Sequence, residues 1–252
     1  MRCGAIPIVR GPVPQRPPTS MDSAAMASRS VSAPALLQRP VAPTPPPSTL
    51  HTRPKLKLPV GHKPFICFDT ETTGLKPAIV CQIAYVVVEA GKVTMEYDQL
   101  LQLPQGAYIG RQAQAIHRIS NRDCAQRGVD AANALELFAR TCFKIMQAGG
   151  RIVAHNAKFD ARAIRETRLA HNIIEYPENQ ALEDGDTFCT MTMSKSYSQL
   201  KDKANRRKAF KNEELYAHLY GSPPTWASLH NAADDIGVTT LNYAGGLLRG
   251  WW

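Results

Sequence analysis

Two carboxylates stand at the end of the first strongly apolar run of the chain. Residues 65–68 form that run, and Asp69 and Glu71 follow it, separated by one residue. Alternate residues of a strand point to the same side of a sheet, so both carboxylates are expected to lie together. Like charges held at the end of a buried strand are costly unless a cation compensates them. Oxygen ligands favour Mg²⁺ or Mn²⁺ over zinc, and the alternative is a solvated strand end with incidental acids.

A second group of polar residues lies where a predicted strand, residues 151–156, runs into a helix that starts near residue 159. Asn156 and Asp160 stand at this junction. Asn156 could cap the helix, and Asp160 in the first turn could complement the helix dipole. Taken alone, this segment is a weak indication of chemistry.

The third group is His230 with the neighbouring pair Asp234 and Asp235. A histidine at the mouth of a helix, just ahead of an acidic pair, suits a general base beside a metal ion. A lone histidine is more often structural, but the presence of the other two segments favours a catalytic role. Spacing alone does not choose between Asp234 and Asp235.

The elements that must position these groups follow from the apolar periodicity. Further strands are predicted at residues 80–88 and 93–103, with a strand edge at 186–190, and helices at 130–147, 159–170, 213–220 and 230–248. The first three strands are expected side by side in meander order. Strands first, then strands alternating with helices, predict an α/β domain with one mixed sheet flanked by helices. The basic stretch 195–211 predicts an exposed loop or helix face, either solvated or able to grip a nucleic-acid backbone.

Residues 1–62 differ from the rest of the chain in composition. They hold 13 of the 19 prolines, and this density predicts a disordered tail ahead of a folded domain at 63–252. They also hold eight of the 30 basic residues and one of the 21 acidic residues, so most of the net charge of +9 belongs to the tail. The charge is therefore weak evidence for nucleic acid. A basic solvated tail or weak nucleic-acid tether is favoured over an organelle transit peptide, because the prolines oppose the amphipathic helix such a peptide needs.

The cysteines argue against a zinc site and against secretion. None of the six is spaced as CxxC or sits in a cluster with histidine. We therefore expect an intracellular, reducing compartment, with organelle import through the tail as the open alternative. No membrane association is expected, because no run approaches the roughly 18 apolar residues of a membrane helix.

Three motifs together resemble those of a known family. FDTETTGL (68–75), HNAKFD (155–160) and HNAADD (230–235) are similar to the three motifs of the DEDDh-type, DnaQ-like 3′→5′ exonucleases, and the resemblance covers about residues 63–250. Three softer features match as well. Residues 115–119 resemble an Ile-His-Gly-Ile segment in which Arg118 replaces the usual glycine, Asp186-Thr187 resembles an Asp-Thr pair, and 213–221 resembles the helix before the third motif.

The resemblance implies an RNase H-like fold and a role for each matching residue. His230 would accept the proton of the attacking water, and Asp235 is preferred over Asp234 because the family places its last aspartate five residues after the histidine. The residues that would hold two Mg²⁺ or Mn²⁺ ions are Asp69, Glu71, Asp160 and Asp235. The residues assigned to substrate binding are Thr72, Leu75, His117 and Asn156.

The expected substrate is a single-stranded nucleic-acid 3′ end, DNA before RNA, from which nucleoside 5′-monophosphates are released. No motif requires an element that reads bases, so backbone contacts and stacking would give little sequence preference. Two alternatives stay open: an RNA-directed 3′→5′ exoribonuclease of the same fold, and a non-catalytic nucleic-acid-binding module. No segment of the sequence marks a polymerase partner or a homodimer face.

Overall fold

The fold is built on one five-stranded mixed sheet. The computed structural model describes residues 54–173 and 187–252, and its strands follow the order β3-β2-β1-β4-β5. The strands are β1 (Phe65–Thr72), β2 (Val80–Glu89), β3 (Lys92–Leu100), β4 (Arg151–Ala154) and β5 (Thr187–Cys189). β1, β2 and β3 pair antiparallel, whereas β1, β4 and β5 pair parallel. The predicted meander and mixed sheet are therefore confirmed.

The centre of the sheet is buried on both faces. In β1, Ile66 and Phe68 pack on one face against helices α3 and α4, in a core cluster that includes Phe138. Phe65 and Cys67 pack on the other face against α7. A strand covered on both sides needs a continuous apolar run rather than alternation, and residues 65–68 supply one.

Helices cover both faces of the sheet. They are α1 (Arg111–His117), α2 (Asn121–Arg127), α3 (Ala131–Gln147), α4 (Ala157–Ala170), α5 (Thr190–Ser194), α6 (Asn212–Tyr220) and α7 (Ala232–Leu248). The predicted helices correspond to α3, α4, α6 and α7, with starts displaced by one or two residues. Asp130 caps α3, because its side chain accepts a hydrogen bond from the Asn133 amide at 2.9 Å.

The sequence prediction differs from the structure in three places. β4 ends at Ala154 instead of residue 156. β3 ends at Leu100 instead of residue 103, because the Gln102 amide bonds to the Val129 carbonyl at 2.9 Å and turns the chain off the sheet edge. The short helices α1, α2 and α5 were not predicted. With seven, seven and five residues, they are too short for a readable apolar periodicity.

Two predictions fall wholly or partly outside the described residues. Residues 1–53 of the predicted tail lie outside them, whereas 54–62 carry no helix or strand, and Leu56 and Leu58 pack against the α7-side core. Asp186 also lies outside the described residues, so only Thr187 of the Asp186-Thr187 pair can be placed, as the first residue of β5.

Arg118 ends α1 in a conformation that normally favours glycine. Its φ is 63°, and its amide donates to the Gln114 carbonyl at 2.8 Å. Left-handed backbone costs a non-glycine residue about 1–2 kcal/mol, and glycine avoids this cost at a helix C-terminus. Arg118→Gly is therefore expected to raise the free energy of unfolding by about 1 kcal/mol, measured by urea denaturation.

The matched control for Arg118→Gly is Arg122→Gly, which places glycine inside the neighbouring helix α2. This control is expected to lower the free energy of unfolding by about 1 kcal/mol. Equal destabilisation by the two substitutions would show that the conformation of Arg118 carries no strain.

Candidate active site

Asp69 and Glu71 lie side by side near the carboxyl end of β1. Asp69 pairs with Ala84 and Glu71 pairs with Gln82 of β2, so both carboxylates belong to the sheet face that α7 covers. The alternation of the strand places Thr70 on the opposite face, toward α4. The sequence expectation that the two carboxylates share one side of the sheet is met.

The first turn of α7 brings a third carboxylate to this pair. Oxygen atoms of Asp69, Glu71 and Asp235 all lie within 4.8 Å of one another. Asp234 is engaged elsewhere, because its Oδ2 accepts a hydrogen bond from the Ser228 amide at 2.8 Å. Spacing alone left these two aspartates equivalent, and the geometry separates them.

Asp160 approaches the same edge of the sheet from the first turn of α4. Its side chain is buried, and its Oδ1 accepts a hydrogen bond from the Thr70 hydroxyl at 2.7 Å. It stands outside the tight group of three, yet it is close enough to raise the pKa of Asp69. The four acidic residues from three separated segments therefore form one electrostatically connected cluster.

Burial and mutual repulsion make this cluster unfavourable as a set of bare charges. Burial raises the pKa of Asp69 well above its ordinary value, and Asp160, Asp235 and Glu71 raise it further. Burial, with Asp235 and Asp160, raises the pKa of Glu71 to about 8. Burial also raises the pKa of Asp160 to about 7, although the hydrogen bond from Thr70 opposes this shift. Crowded carboxylates with raised pKa values are typical of sites that need a compensating cation.

His230 stands beside the cluster but outside α7. Its φ is 67°, and its amide donates to Asp235 Oδ2 at 2.9 Å, so its backbone is fixed next to the carboxylates. The side chain is exposed, and its charge contributes to lowering the pKa of Asp235, which burial raises. An exposed imidazole next to buried acids is in position to exchange a proton with a bound molecule.

The residues assigned to substrate binding have different surroundings. Leu75 is 73% exposed and lies just beyond the cluster, and Asn156 is exposed at the start of α4, where its side chain makes no capping hydrogen bond. Thr72 is buried, and its hydroxyl donates to the Gly74 carbonyl at 2.9 Å. His117 is also buried, with Nε2 at 3.1 Å from the Thr72 carbonyl and Nδ1 accepting from the Ile119 amide. Leu75 and Asn156 are accessible to a ligand, whereas His117 supports the backbone of the first motif.

Three supporting residues were missed in the sequence. Thr70 connects β1 to Asp160 through its hydrogen bond. Its position between Asp69 and Glu71, on the opposite face of the strand, could have identified it in the sequence. Asn212, at the start of α6, donates to the Asp235 carbonyl at 3.1 Å. Gln82 accepts from the Ala232 amide at 3.4 Å and so connects β2 to the start of α7. No sequence pattern pointed to Asn212 or Gln82, because their partners lie 23 and 150 residues away.

The donor set fits divalent ions. Carboxylate oxygens are the ligands that Mg²⁺ and Mn²⁺ prefer, and three of them already lie within 4.8 Å of one another. Cations would also relieve the repulsion that raises the pKa values of the cluster. Asp69, Glu71 and Asp235 can hold such an ion, with Asp160 adjoining them.

Adding Mg²⁺ to the metal-free protein is expected to raise its melting temperature, and more so at about pH 8 than at about pH 6. The folded-state pKa values of Glu71 and Asp160 exceed the unfolded values, so ionisation of these groups opposes folding. Stability of the metal-free protein should therefore fall as the pH rises from about 4.5 toward about 8. Mg²⁺ offsets this loss, whereas protons compete with the ion at lower pH.

Two variants control the melting experiment. Asp69→Asn should lose most of the gain from Mg²⁺, whereas Asp234→Asn should keep it, because Asp234 stands outside the cluster. An equal gain in wild type and Asp69→Asn would mean that Mg²⁺ stabilises the protein at some other place.

Two further features of the described residues concern the length of the helices and the state of the cysteines. Across residues 54–173 and 187–252, each helix is too short or too polar to cross a membrane. The cysteines within these ranges form no disulfide, and four of them, Cys67, Cys81, Cys124 and Cys142, are buried.

Comparison with solved structures shows the fold. Exonuclease X in complex with 5′-overhanging duplex DNA is similar over 75% of this chain and 93% of its own, with 24% identity and a TM-score of 0.50. E. coli Exonuclease I in complex with a dT13 oligonucleotide matches 75% of this chain with 16% identity and a TM-score of 0.57. Exonuclease I from Methylocaldum szegediense matches 74% with 14% identity and a TM-score of 0.56. The matched regions span 42% and 41% of these two longer chains. The predicted RNase H-like fold is confirmed.

Comparison of the sequence with protein families gives a definite assignment. No curated protein matches the sequence. The RNase_T family model, described as an exonuclease, matches residues 66–242, which is well over half of the chain and includes all four clustered acids and His230. The chain therefore belongs to the RNase_T exonuclease family, as the three motifs predicted.

Proposed function

We propose that this protein is a divalent-metal-dependent 3′→5′ exonuclease that removes nucleotides from single-stranded 3′ ends and releases nucleoside 5′-monophosphates. The observation that carries the proposal is the meeting of Asp69, Glu71 and Asp235 within 4.8 Å, although they come from opposite ends of the domain. Like charges that are crowded together and partly buried are costly unless a cation compensates them.

Four carboxylates would hold the ions: Asp69, Glu71 and Asp235, with Asp160 beside them. Two Mg²⁺ or Mn²⁺ ions, when bound, supply the positive charge that activates the attacking water and steadies the departing 3′ oxygen. Thr70 orients Asp160 through its hydrogen bond, and Asn212 holds the backbone of Asp235. These neutral donors fix the carboxylates before substrate arrives, so little reorganisation accompanies the reaction.

His230 would act as the general base. Its backbone amide is tied to Asp235, which keeps the exposed imidazole beside the carboxylates that hold the ions. A base in this place can take the proton of the attacking water.

Two kinds of observation support the substrate and the direction of cleavage. E. coli Exonuclease I has been solved with dT13 and dA16 oligonucleotides, and Exonuclease X with overhanging duplex DNA, which supports DNA before RNA as the proposed substrate. Leu75, four residues after Glu71, and Asn156, four residues before Asp160, are exposed and so are available to contact a terminal nucleotide. A site that accepts one end of a strand favours stepwise removal over internal cleavage.

One assay tests this proposal. Single strands of DNA and of RNA with a 5′ label are digested with Mg²⁺, with Mn²⁺ and with chelator, and the products are sized. The expected result is a ladder that shortens from the 3′ end, faster for DNA, with monophosphates released and no reaction in chelator. Preferred digestion of RNA would make the protein an exoribonuclease. Binding of either strand without any hydrolysis would make it a non-catalytic module and overturn the proposal.

A further inference from the structure

The basic stretch predicted at residues 195–211 contains an ordered hairpin, here called the basic hairpin and comprising residues 200–208. Lys201 and Arg207 pair as an antiparallel bridge, and the Lys208 amide donates to the Leu200 carbonyl at 2.8 Å. Asp202 closes the turn, because its Oδ1 accepts from the amides of Ala204 and Arg206, each at 2.9 Å. The positive charges are therefore carried on a defined element.

Only part of the positive charge on this stretch is neutralised. Arg206 pairs with Asp202 at 2.8 Å, Lys208 with Glu214 at 3.1 Å, and Lys211 with Glu213 at 3.7 Å. Lys201, Lys203 and Arg207 are exposed, and none of them has an ion pair among residues 54–173 and 187–252. The Arg207 guanidinium donates a hydrogen bond to the Ser196 carbonyl, at 2.8 Å. Three cations on one short hairpin are thus available to an outside anion.

The root of the basic hairpin lies next to the acidic cluster. Phe210 follows the hairpin and is buried. Its backbone lies close enough to His155, the residue before Asn156, to oppose the burial that lowers the pKa of this histidine to about 4. Asn212 follows in turn and holds the Asp235 carbonyl at 3.1 Å. Lys208 and Asn212 are four positions apart in the chain, so the end of the hairpin lies within about 14 Å of a residue that contacts Asp235.

From this placement we infer that the basic hairpin binds the phosphate backbone of the substrate strand a few nucleotides upstream of its 3′ end. The inference rests on the proposed function and adds a second contact surface to it. Lys201 and Lys203 would bind phosphates as point charges, and Arg207 would bind them through its planar guanidinium. Such phosphate contacts position a strand without reading its bases. The hairpin would then secure long strands and contribute nothing to the smallest substrates.

The test compares the double variant K201E/K203E with the control K92E/K144E, which makes the same charge change at exposed lysines of β3 and α3. Binding of a fluorescent single strand is measured by anisotropy in chelator, over a range of salt concentrations. We expect K201E/K203E to weaken binding about tenfold or more and to flatten the log–log salt dependence by about 1.4, as loss of two phosphate contacts predicts. The control should change neither quantity appreciably.

Hydrolysis gives the second readout. The nitrophenyl ester of thymidine 5′-monophosphate occupies the acidic cluster without any upstream strand. K201E/K203E should hydrolyse this ester at the wild-type rate while its KM for a long strand rises and its kcat is kept. Equal losses on ester and strand, or equal strand binding by K201E/K203E and the control, would overturn the inference. Failure of the wild type to hydrolyse either substrate would refute the proposed function instead, and the binding measurement would still judge the hairpin.

Discussion

Asp69→Asn is expected to abolish nucleotide release while the protein stays folded. Asparagine keeps the shape of the side chain but removes the charge at Asp69. The pKa of this residue is raised by burial and by Asp160, Asp235 and Glu71, so it lies at the centre of the cluster. Without that charge the remaining carboxylates cannot hold two ions close together, and the positive charge needed at the phosphate is lost. Initial rates of monophosphate release from a single strand, with circular dichroism as a check of folding, measure the effect.

The matched control for Asp69→Asn is Asp234→Asn. Asp234 neighbours Asp235 in sequence, but it bonds the Ser228 amide and stands outside the cluster, and an asparagine oxygen can still accept that bond. This variant should keep most of the activity. Near-normal hydrolysis by Asp69→Asn would exclude the assigned site. Equal losses of activity in the two variants would show that the effect is not specific to the acidic cluster.

His230→Ala is expected to lower kcat about 10²–10⁴-fold, the usual contribution of a positioned base. The metal ligands remain, so metal-dependent stabilisation should be unchanged, which separates this variant from Asp69→Asn. Steady-state kinetics on a single strand and melting curves with and without Mg²⁺ measure the two effects.

The backbone conformation of His230 calls for a second substitution. Its φ of 67° is unfavourable for alanine, whereas asparagine tolerates this region better. His230→Asn should therefore fold at least as stably as His230→Ala and be as slow. If the asparagine variant turned over near the wild-type rate, another group would have to accept the proton.

Much of the sheet could be predicted because the information was local. The apolar run 65–68 and the β-branched run 80–88 identified β1 and β2, and the alternation of a strand put Asp69 and Glu71 on one side. The apolar periodicity of the sequence predicted the long helices α3 and α7. In each case neighbouring residues decided the outcome.

The parts that escaped prediction depend on distant contacts. Thr70 bonds a residue 90 positions away, and Gln82 bonds one 150 positions away. The choice between Asp234 and Asp235 depends on which carboxylate faces β1. Successive helix residues point about 100° apart, so Asp234 instead accepts a hydrogen bond from the Ser228 amide. His117 has its two ring nitrogens engaged internally, a feature that its motif did not reveal. Only tertiary packing decides such contacts.

The most direct test of the proposed metal site is a crystal structure, from crystals of the protein grown with Mn²⁺ and a nucleoside 5′-monophosphate. Anomalous scattering would locate the manganese. The proposed metal site predicts two manganese peaks bound by Asp69, Glu71, Asp160 and Asp235, with the phosphate of the nucleotide against them. Manganese peaks elsewhere, or carboxylates that point away from one another in the presence of the ion, would contradict it.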